Sequence, residues 1–127
     1  MERIAIPIFQ SRISPVLDAC NELMIVDLSE AGPVQRAIVS LEKLTPAERG
    51  IAMSWRGVQK IICAGVSEWM LACLVNRGMH VISGVSGEVE QIVAAYEQNL
   101  LDQDRFRMPG GKKLESPSPH AQAAGPI

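Results

Sequence analysis

The stretch Arg3-Ile4-Ala5-Ile6-Pro7-Ile8-Phe9, followed at once by Gln10-Ser11-Arg12, decides how this chain is read. The apolar run from Ile4 to Phe9 has no polar interruption. A half-exposed strand would alternate apolar and polar residues. An unbroken run instead predicts a strand covered on both faces, as in a parallel sheet packed between helices. The layout recurs twice. Lys60–Ala64 stops in Gly65-Val66-Ser67, and His80–Ile82 stops in Ser83-Gly84-Val85-Ser86-Gly87. In such sheets ligands bind where the carboxyl ends of the strands open into loops. The chain therefore points to a binding edge lined by backbone amides and small side chains. Pro7 cannot donate to a ladder, so it marks a bulge or the place where pairing ends.

Working outward, Ser14-Pro15 turns the chain and Val16–Asn21 suits a short helical turn. Leu23–Leu28 is a second strand. Glu30-Ala31-Gly32-Pro33 supplies turn residues, and Val34–Leu41 returns as a third, half-exposed edge strand of a hairpin. Thr45-Pro46-Ala47-Glu48 carries a capping box and a first-turn proline. The helix it opens runs to about Arg56, with Ile51, Ala52 and Trp55 as its apolar face. Lys60–Ala64 is the fourth strand. Ser67 caps a helix over Glu68–Arg77, apolar on most sides and therefore expected to be well buried. His80–Ser83 is the fifth strand. Ser86 or Gly87 opens a last helix with Val89, Ile92, Val93, Tyr96 and Leu100 on one stripe. Alternating strands and helices imply right-handed parallel crossovers. The expectation is an α/β domain over residues 1–108: a five-stranded mixed sheet, a hairpin on one side, helices on both faces. From Pro109 to Ile127 the composition turns to proline, glycine, serine and alanine, which predicts a disordered or loosely laid tail.

Composition excludes several classes. Hydrophobic residues make up 47% and aromatic ones 4%, so the core must be aliphatic. Lysine and arginine number 12 against 14 acidic residues, a net charge of -2, which lacks the basic field of a nucleic-acid binder. No apolar run reaches membrane-spanning length. Met1-Glu2-Arg3 enters a strand with no signal-peptide pattern, so a cytoplasmic protein is expected. Cys20, Cys63 and Cys73 are odd in number and form no CxxC pair, which reads as reduced thiols.

Catalytic material is sparse. There is no GxSxG, no GxxxxGK[ST] loop and no GxGxxG fingerprint. Asp18 and Asp27 are the candidate pair for a metal-dependent hydrolase or nuclease. The first strand, however, offers no carboxylate as central ligand. The binding edge is richer. Two helix N-termini, at Ser67 and at Ser86-Gly87, face it and favour an anion. Gly65, Gly84 and Gly87 allow close backbone approach. Arg12 adds positive charge, and Ser14 lies in the same loop. Cys63, at the end of a buried strand, is either a small core hydrophobe or a soft metal ligand.

These residues carry a resemblance. Arg3-Ile4-Ala5-Ile6-Pro7, Arg12-Ile13-Ser14-Pro15 and Met24-Ile25-Val26 are similar to the dinitrogenase iron-molybdenum cofactor biosynthesis family. So are Ile62-Cys63-Ala64-Gly65-Val66-Ser67, Arg77-Gly78, Val85-Ser86-Gly87-Glu88-Val89 and Phe106-Arg107-Met108-Pro109-Gly110. The family includes nitrogenase accessory factors and the orange proteins. The resemblance implies a ribonuclease H-like three-layer fold with strand order 3-2-1-4-5. It implies carriage of a molybdenum–copper or iron–molybdenum sulfide cluster, or of its precursor, rather than catalysis. A partner protein in cofactor assembly is implied too. Where related chains have histidine, phenylalanine and glycine after the Ser-Pro, this chain has Val16-Leu17-Asp18.

The expected site is thus Arg12, Ser14, Cys63, Gly65, Ser67, Ser86 and Gly87, with Cys63 as the candidate metal ligand. The competing expectation is a metal-free interaction or regulatory module, motivated by the edge strand and the tail.

Overall fold

A computed structural model describes residues 2–101, 106–107 and 114–115 of the chain. Strand β1 (Glu2–Phe9) runs through the middle of the sheet, with Ile4, Ala5 and Ile6 wholly buried. Its side chains alternate between two cores. Ile4, Ile6 and Ile8 pack with Val89, Ile92 and Val93. Ala5 packs with Met53, Met70 and Leu74 on the other side.

The chain then forms β2 (Arg12–Ile13), a 3-10 turn at Leu17–Ala19, β3 (Glu22–Ser29) and β4 (Gly32–Ser40). Next come α1 (Pro46–Trp55), β5 (Lys60–Ile62), α2 (Glu68–Asn76), β6 (His80–Ser83), α3 (Val89–Glu97) and β7 (Leu114–Glu115). The sheet order is β4-β3-β1-β5-β6-β7, with β2 paired to β1 beside this path. The β1–β5 and β5–β6 pairs are parallel, and the rest are antiparallel. The core memberships place α3 on one face and α1 with α2 on the other. No described helix is long and apolar enough to cross a membrane.

The five expected strands keep their relative places, but the sheet differs in detail from a five-stranded one. The β2 strand was hidden because its turn, Gln10-Ser11, lacks a glycine or asparagine signal. Gln10 itself takes the left-handed conformation, at φ 58°. The β7 strand falls inside the expected tail, of which the other residues lie outside those described.

Pro7 marks a change of partner. On one edge β1 pairs with β5 only as far as Ala5, then with β2 from Ile8. The Arg3 carbonyl accepts from Gln59 N on that edge, and the Pro7 carbonyl accepts from Ser14 N at 2.8 Å. In an extended strand a residue's N and O face the same edge. The proline nitrogen therefore faces the gap between the two partners, where no donor is needed.

The helices correct three expectations. Thr45 and Glu48 form the capping box, at 2.8 and 3.2 Å. Yet α1 buries Arg49, Gly50 and Met53, while Trp55 is 87% exposed and Ile51 40%. Its expected apolar face therefore looks outward. Helix α2 buries only Met70 and Leu74, and Trp69 is exposed. Helix α3 begins at Val89 with Glu88 as N-cap, later than Ser86 or Gly87.

Arg3 ties the start of β1 to both neighbours. Its Nε and Nη2 donate to Asp27 Oδ1 and Oδ2 at 2.7 and 3.1 Å, and Nη1 donates to the Arg56 carbonyl. The hydrogen bonds from Arg3 hold the Asp27 carboxyl below its usual 3.8. A depressed folded-state value stabilises the fold above the unfolded value, and the contribution is lost as pH falls through the folded one. Urea unfolding between neutral pH and about pH 3 is therefore expected to show a steeper acid loss in the natural chain than in Asp27→Asn. Equal pH slopes would contradict the pairing. Ile6→Ala, at the centre of the sheet, is expected to cost about 2–5 kcal/mol in the same assay.

Candidate functional site at the carboxyl edge

Three loops are laced into one surface at the carboxyl ends of β1, β5 and β6. Leu17 N donates to the Gly65 carbonyl, and Gly65 N to the Pro15 carbonyl, both at 2.8 Å. Ile13 N donates to the Gly87 carbonyl at 3.0 Å, and Val89 N to the Ser11 carbonyl at 2.9 Å. The first loop thereby touches both others. Gly65 is required by close approach: a Cβ there would lie 2.8 Å from the Pro15 carbonyl oxygen. Residues Phe106 and Arg107 cross the same edge, where Ser86 N donates to the Phe106 carbonyl at 2.7 Å.

The two helix N-termini at this edge differ. Ser67 caps α2, its Oγ accepting from Met70 N at 3.1 Å. The Asp18 carboxylate sits against the same turn, accepting from Ser67 N at 3.0 Å and from Ser67 Oγ at 2.6 Å. The chain's own anion thus closes the α2 terminus. At α3 no side chain caps the helix. Ser86 Oγ instead donates to the Arg107 carbonyl at 3.1 Å. Among the described residues, the amides of Gly87 and Glu88 donate to no protein acceptor. Arg12 stands beside this open terminus, its guanidinium 3.2 Å from Glu88, with both side chains substantially exposed.

Of the expected site residues, Arg12, Gly87 and Ser86 gather at the α3 terminus, and Gly65 and Ser67 at the α2 terminus. Ser14 is buried between them, its amide donating to the Pro7 carbonyl. Cys63 lies under the edge and is wholly buried. Burial, helped by the negative fields of Asp18 and Cys20, pushes its thiol up to about 12. Burial under the edge gives Cys63 the environment of a small core side chain. Cys20 is also buried, and burial raises its thiol against the opposing pull of Arg49. Among the described residues no group of three or more His, Cys, Asp or Glu is placed to hold a metal ion.

Asp18 is the residue of this edge that sequence reasoning missed. It was weighed only as a partner for Asp27, which pairs with Arg3 at the opposite end of β1, so the two carboxylates do not meet. The contact of Asp18 with Ser67 spans 49 positions, and no local pattern announces it. Chemically, the edge offers amides, a hydroxyl and one guanidinium. That set can hold an anion by hydrogen bonding and charge, without a metal–thiolate bond.

A family model described as dinitrogenase iron-molybdenum cofactor matches residues 1–99. The chain belongs to this family. The match takes in all three carboxyl-edge loops and α3, and it agrees with the resemblance carried by the motifs. A comparison with curated proteins finds no match. Among solved structures the chain is similar to PH0822, with a TM-score of 0.74 and 18% identity, covering 80% of this chain and 96% of that one. It is similar to mj0327 of Methanocaldococcus jannaschii, with a TM-score of 0.68, 15% identity and coverage of 91% and 96%. It is similar to the apo form of the orange protein of Desulfovibrio gigas, with a TM-score of 0.67, 15% identity and coverage of 84% and 96%. At these identities the likeness concerns the fold.

The family member's thiols should differ sharply in reactivity. Iodoacetamide at pH 8, read by mass spectrometry on the native chain, is expected to label the half-buried Cys73 and spare Cys20 and Cys63 until urea is added. Early labelling of Cys63 would refute its burial.

Proposed function

We propose that the chain is a cytoplasmic carrier for an anionic metal–sulfur cluster, or for its precursor, in iron–molybdenum cofactor biosynthesis. Family membership supports the pathway, and the open α3 terminus supports the mode of binding. The observation that carries the reading is the contrast between the two helix ends. Asp18 already occupies the α2 terminus, whereas at α3 the Gly87 and Glu88 amides meet no protein acceptor among the described residues and Arg12 is held only by the exposed Glu88. A cargo anion would sit against Ser86, Gly87 and Arg12, with Gly65 and Ser67 shaping the neighbouring wall. Cys63 serves the core in this reading and takes no part in ligation. The reading takes the fold, one mixed sheet with helices on both faces, to be of ribonuclease H-like type.

The protein acts here by holding a preformed inorganic anion. Outer-sphere hydrogen bonds to cluster sulfides need no deprotonated side chain. Mixing the purified chain with tetrathiomolybdate and copper(I), or with an iron–sulfur precursor, is expected to give a stoichiometric chromophore that co-elutes with the protein. Arg12→Glu is expected to weaken its retention about tenfold while leaving the fold intact. Absence of a stoichiometric chromophore with every precursor would overturn the reading.

One observation favours a second reading, a metal-free interaction module. Strand β4 forms an edge of the sheet, and Ile38 on it is 57% exposed. Metal analysis of protein isolated anaerobically from its host separates the two. Molybdenum, iron or copper in fixed ratio supports the carrier, and their persistent absence supports the module.

A further inference from the structure

Trp55 ends α1 with its indole almost wholly in water, and the packing of the core gives no reason for it. An exposed aromatic ring beside a cleft offers a stacking face to a planar ligand. Beside it lies a cleft of about 350 Å3, between the end of α1 and the uncovered part of β3 and β4. That volume is within the range of small-molecule sites.

The floor is made of Val39, the cross-strand pair Ile25 with Ala37, and the pair Asp27 with Gln35. It therefore passes from aliphatic to polar along its length. Ala37, between larger neighbours, leaves room above the floor for a flat ring. The Gln35 side chain makes no hydrogen bond among the described residues, so its amide can donate and accept. Charge favours an anion. Asp27 is neutralised by Arg3, and Arg36 is paired with Glu90 at 2.6 Å. Arg56 has no ion pair among the described residues, and its guanidinium is left over.

We propose that this cleft binds a nucleotide: a planar heteroaromatic ring lies on the Ile25–Ala37 floor against Trp55, its edge meets the Gln35 amide, and its phosphate pairs with Arg56. Each part answers one feature of the cleft. Stacking uses the exposed indole, the polar end of the floor reads the ring edge, and the unmatched cation takes the phosphate. The site lies at the opposite end of β1 from the carboxyl edge and does not depend on the carrier reading.

Trp69→Phe leaves Trp55 as the sole tryptophan of the full chain, since there are two. In that background the indole fluorescence and the indole N–H resonance are followed while AMP, adenosine or inorganic phosphate is added. AMP is expected to give a saturable change, adenosine a weaker one and phosphate none. Arg56→Glu, at an exposed position, is expected to weaken AMP binding about tenfold. Ala37→Leu is expected to abolish the change by filling the floor. No saturable response to AMP up to about 5 mM, a range that includes very weak binding, would overturn the proposal. So would an AMP response that both variants leave untouched. Phosphate competing as well as AMP would show a simple anion patch, and that too would overturn it.

Discussion

Burial of β1 on both faces is the constraint on which the other features depend. Ile4 and Ile6 face one core, Ala5 the other, and none of the three meets solvent. A strand so placed needs cover above and below, which α3 provides on one side and α1 with α2 on the other. It also needs a partner for its backbone groups along both edges, because an unpaired buried amide costs as much as a lost hydrogen bond. On one edge β3 pairs with it from Glu2 to Ile8. On the other, β5 gives way to β2, and Pro7 stands at the change. That change lets the first loop fold back over the end of β5 rather than run on past it. The carboxyl edge is a consequence of the way the central strand ends.

The electrostatics of that edge follow from which helix end is already satisfied. A helix N-terminus attracts negative charge through its unpaired amides and its dipole. At α2 the attraction is met internally by Asp18 and Ser67. At α3 it is not, and Arg12 adds a cation whose partner, Glu88, is exposed enough to be exchanged for another anion. The glycines act sterically. Gly65 allows the first loop to hydrogen-bond against it, and a methyl group there would push the Pro15 carbonyl away. The site is built mainly from backbone, which is why a search for catalytic side chains leaves it empty.

Helix α1 shows how an amphipathic pattern can be read from the wrong side. Ile51, Ala52 and Trp55 share a face, yet the buried face holds Arg49, Gly50 and Met53. A buried guanidinium is costly unless its donors are met. Here Nε donates to the Leu44 carbonyl at 3.1 Å and Nη1 to the Cys20 carbonyl. These acceptors belong to irregular segments whose carbonyls would otherwise need water. The arginine satisfies them and pins the loop before β3 to the helix. With Arg49 inward, Ile51 and Trp55 are carried outward.

Much of the fold was legible in sequence because it rests on local or periodic signals. The unbroken run at Ile4–Phe9 predicts a strand covered on both faces. The capping box at Thr45 and Glu48 predicts the start of α1, and Ser67 the start of α2. The seven-stranded membership was less legible, since β2 and β7 are two residues each, and the Gln10-Ser11 turn before β2 carries no glycine or asparagine signal. That Gly65, Ser67, Gly87 and Arg12 lie at the carboxyl edge was legible, because strand ends followed by small residues are a local pattern. What only tertiary structure decided are the pairings across long separations. Asp18 reaches Ser67, Arg49 reaches Cys20, and Arg3 holds Asp27 while the other candidate carboxylate lies at the far end of the sheet. Cys63 shows the same division. Its place at the end of an apolar strand is written in the chain. Its protonation state depends on how completely the layers close over it. Composition and periodicity act over a few residues, whereas burial and charge depend on every element packed around a group.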